Sequence, residues 1–326
     1  MREGLSYDQV CMVPKYNNIP SRNDESMDFG TKISKDCVMN VPILAANMDT
    51  VINAELGKEL QHFGSIPILH RFHKELSQLM EEVNALTGHC FISCGVNDLA
   101  TVESVMINAT YRPMGVCVDI AHGHSSTVHD ALYELKLMRQ DWPNMHIIAG
   151  NVCTAQAFHD LVNWGADAVK VGIGPGSVCT TREVTPFGVP QFTAIQDCSK
   201  ISRELQVPMI ADGGVRGSRE IVLALAAGAS SVMIGGLFAN TQESACENVF
   251  RGQASAHFQD DYYGGVKAGT VAEGRHIEAQ LRSLRPSAKE VMESLLGGMR
   301  TGFTYCGANS IEELQRKAEF MRHKGD

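Results

Sequence analysis

Short apolar runs rich in β-branched residues recur along the chain and alternate with stretches of helical spacing. Eight of them read as strands: Ile43–Asn47, Ser65–His70, Cys90–Gly95, Val116–Ala121, His146–Asn151, Ala168–Gly172, Pro208–Ala211 and Ser231–Ile234. Between them apolar residues fall three or four apart, as at Leu76, Met80, Val83 and Leu86, the period of a helix with one buried face. Strand and helix in alternation make βαβ units and a parallel sheet. Eight such units predict a single-domain α/β protein, one closed (β/α)8 TIM barrel over residues 1–326, with its chemistry at the C-terminal ends of the strands. After the eighth run, residues 241–285 are polar, glycine-containing and nearly without periodicity. An insertion of that length reads as a flap over a site. Order returns at Ser287-x-x-Glu290, a capping box that opens a last helix.

The residues at the strand ends are chemically loaded. Asn47-Met-Asp49, Asp119, Asn151, Asp212-Gly-Gly214 and Gly235-Gly236 all fall there. The sixth run leads into Val171-Gly-Ile-Gly-Pro-Gly-Ser-Val-Cys-Thr-Thr-Arg182. Its glycines let the backbone turn tightly and approach a ligand, and Pro175 stiffens the same turn. The loop carries Cys179, followed by Thr180, Thr181 and Arg182. A thiol reacts as thiolate, which cations and backbone N–H groups favour, so Cys179 is the candidate nucleophile. Gly213-Gly214 and Gly235-Gly236 follow strands seven and eight, where many barrels hold a phosphate on backbone N–H groups and a helix start. Asp119-x-x-His122-x-His124 lacks the third ligand and outer partners a zinc site needs, and reads as hydrogen-bonding histidines. Cys90, Cys94, Cys117 and Cys153 sit in or beside strands and read as packing residues.

Composition narrows the class further. The chain has 326 residues, 44% hydrophobic and 20% charged, with a net charge of −9. That balance is an ordinary globular one and argues against a nucleic-acid or anionic-membrane binder, while leaving room for a local phosphate pocket. No apolar run is long enough for a bilayer, and Met1-Arg-Glu-Gly-Leu5 lacks a signal-peptide core. The ten cysteines are scattered with no Cys-x-x-Cys pair, as expected of reduced thiols in the cytoplasm.

The cysteine loop resembles the active-site loop of the family containing IMP dehydrogenase and GMP reductase. Ala46-Asn-Met-Asp-Thr-Val51, Asp119-Ile-Ala-His-Gly-His-Ser125, Ala149-Gly-Asn-Val152, Ala211-Asp-Gly-Gly214, Met233-Ile-Gly-Gly236 and Leu296-Gly-Gly-Met-Arg300 resemble the family too, in its order, from about Leu5 to Met321. The resemblance implies a purine nucleoside monophosphate as substrate and a nicotinamide cofactor. It gives Ser177, Gly213, Gly214, Gly235 and Gly236 to the phosphate and Asp212 to the ribose hydroxyls. Gly252, Gln253, Ala254, Thr270, Val271, Ala272 and Gly274 close over the base. On the cofactor side it implies Ser21, Arg22, Arg71, Asp119, Ile120, Ala121, Gly172, Ile173, Thr301, Gly302, Phe303 and Thr304, with Asp119 facing the nicotinamide. The segment of Gly174, Gly176, Cys179 and Arg182 resembles the family's potassium-binding loop. A homo-oligomer, a tetramer, is implied as well. Full-length IMP dehydrogenases usually insert a regulatory pair of CBS modules after the second strand, but Leu69-His-Arg-Phe-His-Lys-Glu75 runs straight into a helix.

Both branches of the family share thiolate attack at C2 of the purine, and differ in the second half-reaction. The dehydrogenase activates water with an Arg-Tyr pair on its flap; here the comparable stretch is Gln259-Asp-Asp-Tyr-Tyr-Gly-Gly265, with acid in place of that arginine. The reductase uses a glutamate–threonine relay, matched by Glu273 and Thr181. Asn47 and Ser21-Arg22 favour the reductase, Arg22 as a partner for the 2′-phosphate of NADPH. Arg182-Glu-Val-Thr185 looks more like the dehydrogenase, and Gln253-Ala254 departs from the usual methionine and small residue. The expectation is a GMP reductase using NADPH. The alternatives are an IMP dehydrogenase without CBS modules, a non-catalytic purine-nucleotide-binding barrel, and a reductase of a deoxy or modified purine nucleotide.

Overall fold

Parallel strands covered by helices are buried on both faces, which is why they appear in the sequence as unbroken apolar runs. The computed structural model describes residues 2–22, 26–266 and 268–323. Each of the eight runs is a strand: β1 Ile43–Ala45, β2 Ile68–Leu69, β3 Phe91–Cys94, β4 Gly115–Asp119, β5 His146–Val152, β6 Ala168–Val171, β7 Met209–Asp212 and β8 Ser231–Ile234. β1 pairs with β8, and the parallel ladder then runs in order from β8 back to β2. The sheet curls until its two ends meet, an almost closed barrel. At that seam the Ser65 hydroxyl donates to the carbonyl of Ile43 at 2.6 Å.

The helices α1 Ala54–His62, α2 Leu76–Ala85, α3 Leu99–Asn108, α4 Ser126–Met138, α5 Ala155–Trp164, α6 Gln191–Leu205, α7 Ser218–Ala226 and α8 Ala288–Cys306 follow the strands. Several begin on side-chain caps that take up a free first-turn N–H: Asn53, Ser125 and Thr154 for α1, α4 and α5. The Ser287–Glu290 capping box opens α8 as expected. In α2 the packed face is Leu79, Val83 and Leu86, whereas Leu76 is exposed. Met80, Val83 and Leu86 pack as the period predicts, and of the four predicted positions only Leu76 faces solvent.

Two apolar layers result. Inside the barrel each strand supplies one residue to a common cluster: Leu44, Ile68, Phe91, Cys117, Ile148, Ala168, Ile210 and Met233. An antiparallel hairpin, Thr31–Ser34 with Cys37–Met39, adds Ile33, Cys37 and Met39 to it. This hairpin bonds to residues that precede the strands, as in Lys35 N–H to Asp167 and Thr31 hydroxyl to Ser230. It therefore stoppers the N-terminal end, and only the C-terminal end stays open. The second layer lies between the outer strand faces and the helices. No described helix is long and apolar enough to cross a membrane.

The segment 241–285 has structure of its own. Val249–Arg251 pairs antiparallel with His276–Glu278, and a helix spans Ala256–Tyr263. The sequence missed these elements because what holds them is distant in the chain. Arg285, 2% exposed, donates to the carbonyls of Gln280, Cys246 and Glu247 and gathers the two roots of the segment.

Candidate active site

At the open end of the barrel, two adjoining cavities of about 490 and 340 Å³ share Ala46, Met48, Gly174, Pro175, Gly176, Asp212 and Gly213 in their walls. The larger is a cradle of Ser177, Gly213, Gly214, Gly235 and Gly236, with Arg216 and Tyr7 on its rim. Gly213 has φ +95°, and a Cβ there would stand 2.9 Å from the ring of Pro175. Only glycine allows this loop to lie against the cysteine loop. Backbone N–H groups with Arg182 and Arg216 in the lining suit the cradle to an anion, and its two carboxylates are paired, Asp8 with Arg216 and Asp212 with Lys170.

The smaller cavity holds the reactive groups: Cys179, Thr181 and Glu273, with Gly252, Gln253, Ala254, Arg71, Asp119, Ile120 and Ala121 also in its lining. The Cys179 sulfur lies 3.2 Å from the Thr181 hydroxyl, which donates to Glu273 Oε2 at 3.1 Å. This chain depends on the flap. Cys179 pairs with Gly274 in an antiparallel bridge, and Arg275 N–H donates to the carbonyl of Val178 at 2.9 Å. Glu273 N–H in turn donates to the carbonyl of Ala254 at 2.9 Å. Gln253 Nε2 donates to the carbonyl of Asn47 at 3.0 Å, which turns its side chain into the cavity.

The floor of this cavity is a charge cluster. Lys170 Nζ, inside β6, reaches Asp119 Oδ1 at 2.8 Å, Asn47 Oδ1 at 3.1 Å and Asp212 Oδ2 at 3.2 Å. Burial opposes its charge, but the two carboxylates outweigh burial and hold it above the ordinary lysine range. Asp119 mirrors it: burial pushes its carboxyl up, and the ammonium of Lys170, together with Arg71 and Asn47, leaves it below the usual value. Asn151 donates to the same Asp212 oxygen at 2.8 Å. Gly172, at φ +154°, permits the contact between β6 and β7 here, because a Cβ would fall 2.0 Å from the carbonyl of Asp212.

A model of the IMP dehydrogenase/GMP reductase domain matches residues 4–325. The chain belongs to the IMP dehydrogenase/GMP reductase family. It is 34% identical to the GMP reductases of Salmonella paratyphi C (strain RKS4594) and Salmonella typhi, over 334 positions that cover 98% of this chain and 94% of each relative. It is 29% identical to the inosine-5′-monophosphate dehydrogenase of Nitrosopumilus maritimus (strain SCM1), over 464 positions covering 98% of this chain and 96% of that protein. The second alignment is longer than the whole chain, so the dehydrogenase holds a long stretch with no counterpart here.

Within this family member the residues singled out in the sequence fall into two groups. Cys179, Thr181, Glu273, Ser177, Asp212, both glycine pairs, Gly252 to Ala254, Arg71, Asp119 to Ala121 and Gly172 meet at the barrel mouth. Of the flap residues beside Glu273, Gly274 bridges to Cys179 and Val271 is 70% exposed; Thr270 is exposed and Ala272 half-buried. The cofactor candidates at the other end of the chain are elsewhere. Thr301 and Gly302 line a separate apolar cavity of about 400 Å³ between α7, α8 and the segment Val10–Pro14. Phe303 is fully buried against Phe29, Thr304 donates to the carbonyl of Thr301, and Arg22 is exposed.

The potassium residues form one turn. The carbonyl of Gly176 accepts from Cys179 N–H at 3.1 Å, and the Arg182 side chain lies along Gly174 and donates to the carbonyl of Ile173 at 3.1 Å. A guanidinium has no lone pair to ligate a cation, so Arg182 could offer only its backbone oxygen. The turn alone falls short of a hard cation's oxygen shell. His124 bonds Asp160 at 2.9 Å and stacks on Trp164, and His122 is exposed. Among the described residues no three His, Cys, Asp or Glu side chains converge on a metal position.

The sequence reading overlooked two residues. Lys170 is a lysine in an otherwise apolar strand, Ala168-Val-Lys-Val171, and that anomaly was the available signal. Arg251, 8% exposed, grips Asp49 Oδ2 through Nε at 3.1 Å and through an Nη at 2.6 Å, and reaches Asp261 at 2.8 Å. Nothing local in the sequence marks it.

Proposed function

We propose that this protein catalyses the NADPH-dependent reductive deamination of GMP to IMP and ammonia. The observation that carries the reading is the Cys179–Thr181–Glu273 chain, with contacts of 3.2 and 3.1 Å, at the edge of the phosphate-type cradle. A carboxylate that reaches the sulfur only through a hydroxyl is arranged to pass protons between the enzyme and a departing group. The glycine cradle and Ser177 take the phosphate, and Asp212 takes the ribose hydroxyls. The Cys179 sulfur bonds to C2 of the base. The exocyclic amine takes its proton from the Thr181–Glu273 relay and leaves as ammonia, so a thioimidate remains on Cys179. The bound cofactor supplies the hydride for C2, the carbon–sulfur bond breaks and its electron pair returns to Cys179.

Two further observations favour this over the dehydrogenase reading. The acidic stretch of the flap, which stands where the dehydrogenases carry their Arg-Tyr pair, is engaged structurally, with Asp261 paired to Arg251. The GMP reductase relatives match the chain end to end in length. The cofactor candidates on the flank of α7 and α8 fit the reading if a homo-oligomer brings them to a neighbouring copy's mouth.

The test follows reduced-nicotinamide absorbance in both directions. GMP-dependent loss of NADPH with IMP and ammonia as products is the expected result. IMP-dependent formation of NADH and XMP would instead establish a dehydrogenase without CBS modules. Nucleotide binding without turnover would leave a binding barrel or a different purine nucleotide.

A further inference from the structure

Lys170 has no role in the proton relay, yet it is the most tightly enclosed charge at the site, 2% exposed. A lysine ammonium carries three protons. Here three acceptors receive them: Asp119 at the end of β4, Asn47 just beyond β1 and Asp212 at the end of β7, at 2.8 to 3.2 Å. With Asn151 on the same oxygen at 2.8 Å, Asp212 Oδ2 is turned inward and committed, which leaves Oδ1 for a ligand. Asp119 lines the same cavity, as do Arg71, Ile120 and Ala121.

We propose that Lys170 is a positioning residue that couples the nucleotide half of the site, through Asp212, to the cofactor half, through Asp119. This rests on the reading above, in which Asp212 takes the ribose and Asp119 faces the nicotinamide. A ligand that draws on one carboxylate changes that carboxylate's claim on the shared ammonium, and with it the other carboxylate. Such coupling is reciprocal by linkage. It has a mechanical basis as well, because the lysine stem is locked inside a packed barrel and cannot follow one partner without leaving the other.

The groups facing Asp119 are few. Lys170 comes from β6, Arg71 from beyond β2, Asn47 from beyond β1, Asp212 from β7, Cys94 from β3, and Cys117 from its own strand. The lysine supplies the largest attraction for its charge, so without Lys170 burial would bring Asp119 to its protonated form at higher pH.

The experiment is calorimetric titration of the whole protein with GMP and, separately, with NADPH across pH. Lys170→Met keeps the length of the side chain and removes its charge. Both dissociation constants should rise about ten-fold, the scale of ordinary site coupling, and the acid limb of NADPH binding should move to higher pH. Lys170→Arg, if it folds, should return that limb toward its original position. Asp119→Asn, an isosteric change, tests the link even if Lys170→Met does not fold. It should alter GMP affinity by about three-fold or more although Asp119 is outside the nucleotide half. GMP affinity within two-fold of wild type in Asp119→Asn, or a Lys170→Met protein with both affinities unchanged, would overturn the coupling and leave the GMP reductase reading standing. A wild-type protein that binds no purine nucleotide would overturn both.

Discussion

Ten cysteines are present, and environment separates one from the rest. Burial pushes Cys90, Cys117 and Cys198 each up to about 12, far from a useful thiolate. Cys179 is half-buried, opens on a cavity and touches a hydroxyl that continues to a carboxylate. If the sulfur forms the covalent bond, Cys179→Ala should bind GMP with near-normal affinity and show no measurable turnover. Turnover close to wild type in that variant would end the covalent route. The relay makes a separate demand: Glu273→Gln keeps the hydrogen bond to Thr181 but cannot move protons. Its kcat should fall about 10²- to 10⁴-fold with little change in KM, as read by steady-state kinetics at saturating NADPH. A large rise in KM with kcat intact would make Glu273 a binding residue instead.

Helices and strands of the barrel are self-announcing; the flap is not. Each barrel strand is short, apolar and buried on both sides, so its pattern depends on local residues and could be read directly. The flap helix Ala256–Tyr263 owes its place to contacts with other segments. Phe258 and Tyr262 pack on Phe72 from the loop after β2, with ring centroids 4.6 and 5.3 Å away. Arg251 ties Asp49, beyond β1, to Asp261 of the helix. None of these pairs is visible as a period or a motif, and the same holds for the meeting of Thr181 with Glu273, 92 residues apart. That last pair was found in the sequence through resemblance, not through pattern. The structural account has a consequence for Arg251→Met. Asp49, largely enclosed, would be left without its ionic partner, at a cost of roughly 1 to 3 kcal/mol, and the helix would lose its tether. Cleavage within residues 252–278 by a protease should then quicken, and turnover should drop as Glu273 loses its register with the cysteine loop. Proteolysis and turnover matching the wild type would show that the aromatic packing suffices.

At the scale of the whole barrel, the ring of ladders has one weak place. Among the described residues β1 and β2 share no strand pairing, and β2, Ile68–Leu69, is the shortest strand of the sheet. His70 follows it directly, 8% exposed, accepting the Phe72 N–H on Nδ1 at 3.0 Å and stacked on His73 with centroids 4.1 Å apart. Burial, and then the neighbouring His73, push the His70 imidazole down to about 3 from its ordinary 6.5. Above pH 6.5 the ring is neutral in both the folded and unfolded chain, so the fold keeps its full stability. Below that the unfolded chain takes up the proton first, and stability falls by at most about 1.4 kcal/mol per pH unit until the folded value is approached. Acid should therefore loosen the barrel at its seam before its better-laddered side. His70→Asn can still accept the Phe72 N–H and has no site for the proton. Denaturant unfolding should accordingly show a shallower loss of stability for this variant than for wild type between pH 6.5 and about pH 4. Parallel stability lines for the two proteins would move the origin of acid sensitivity away from the seam, to carboxylates such as Asp119 whose pairing keeps them ionised.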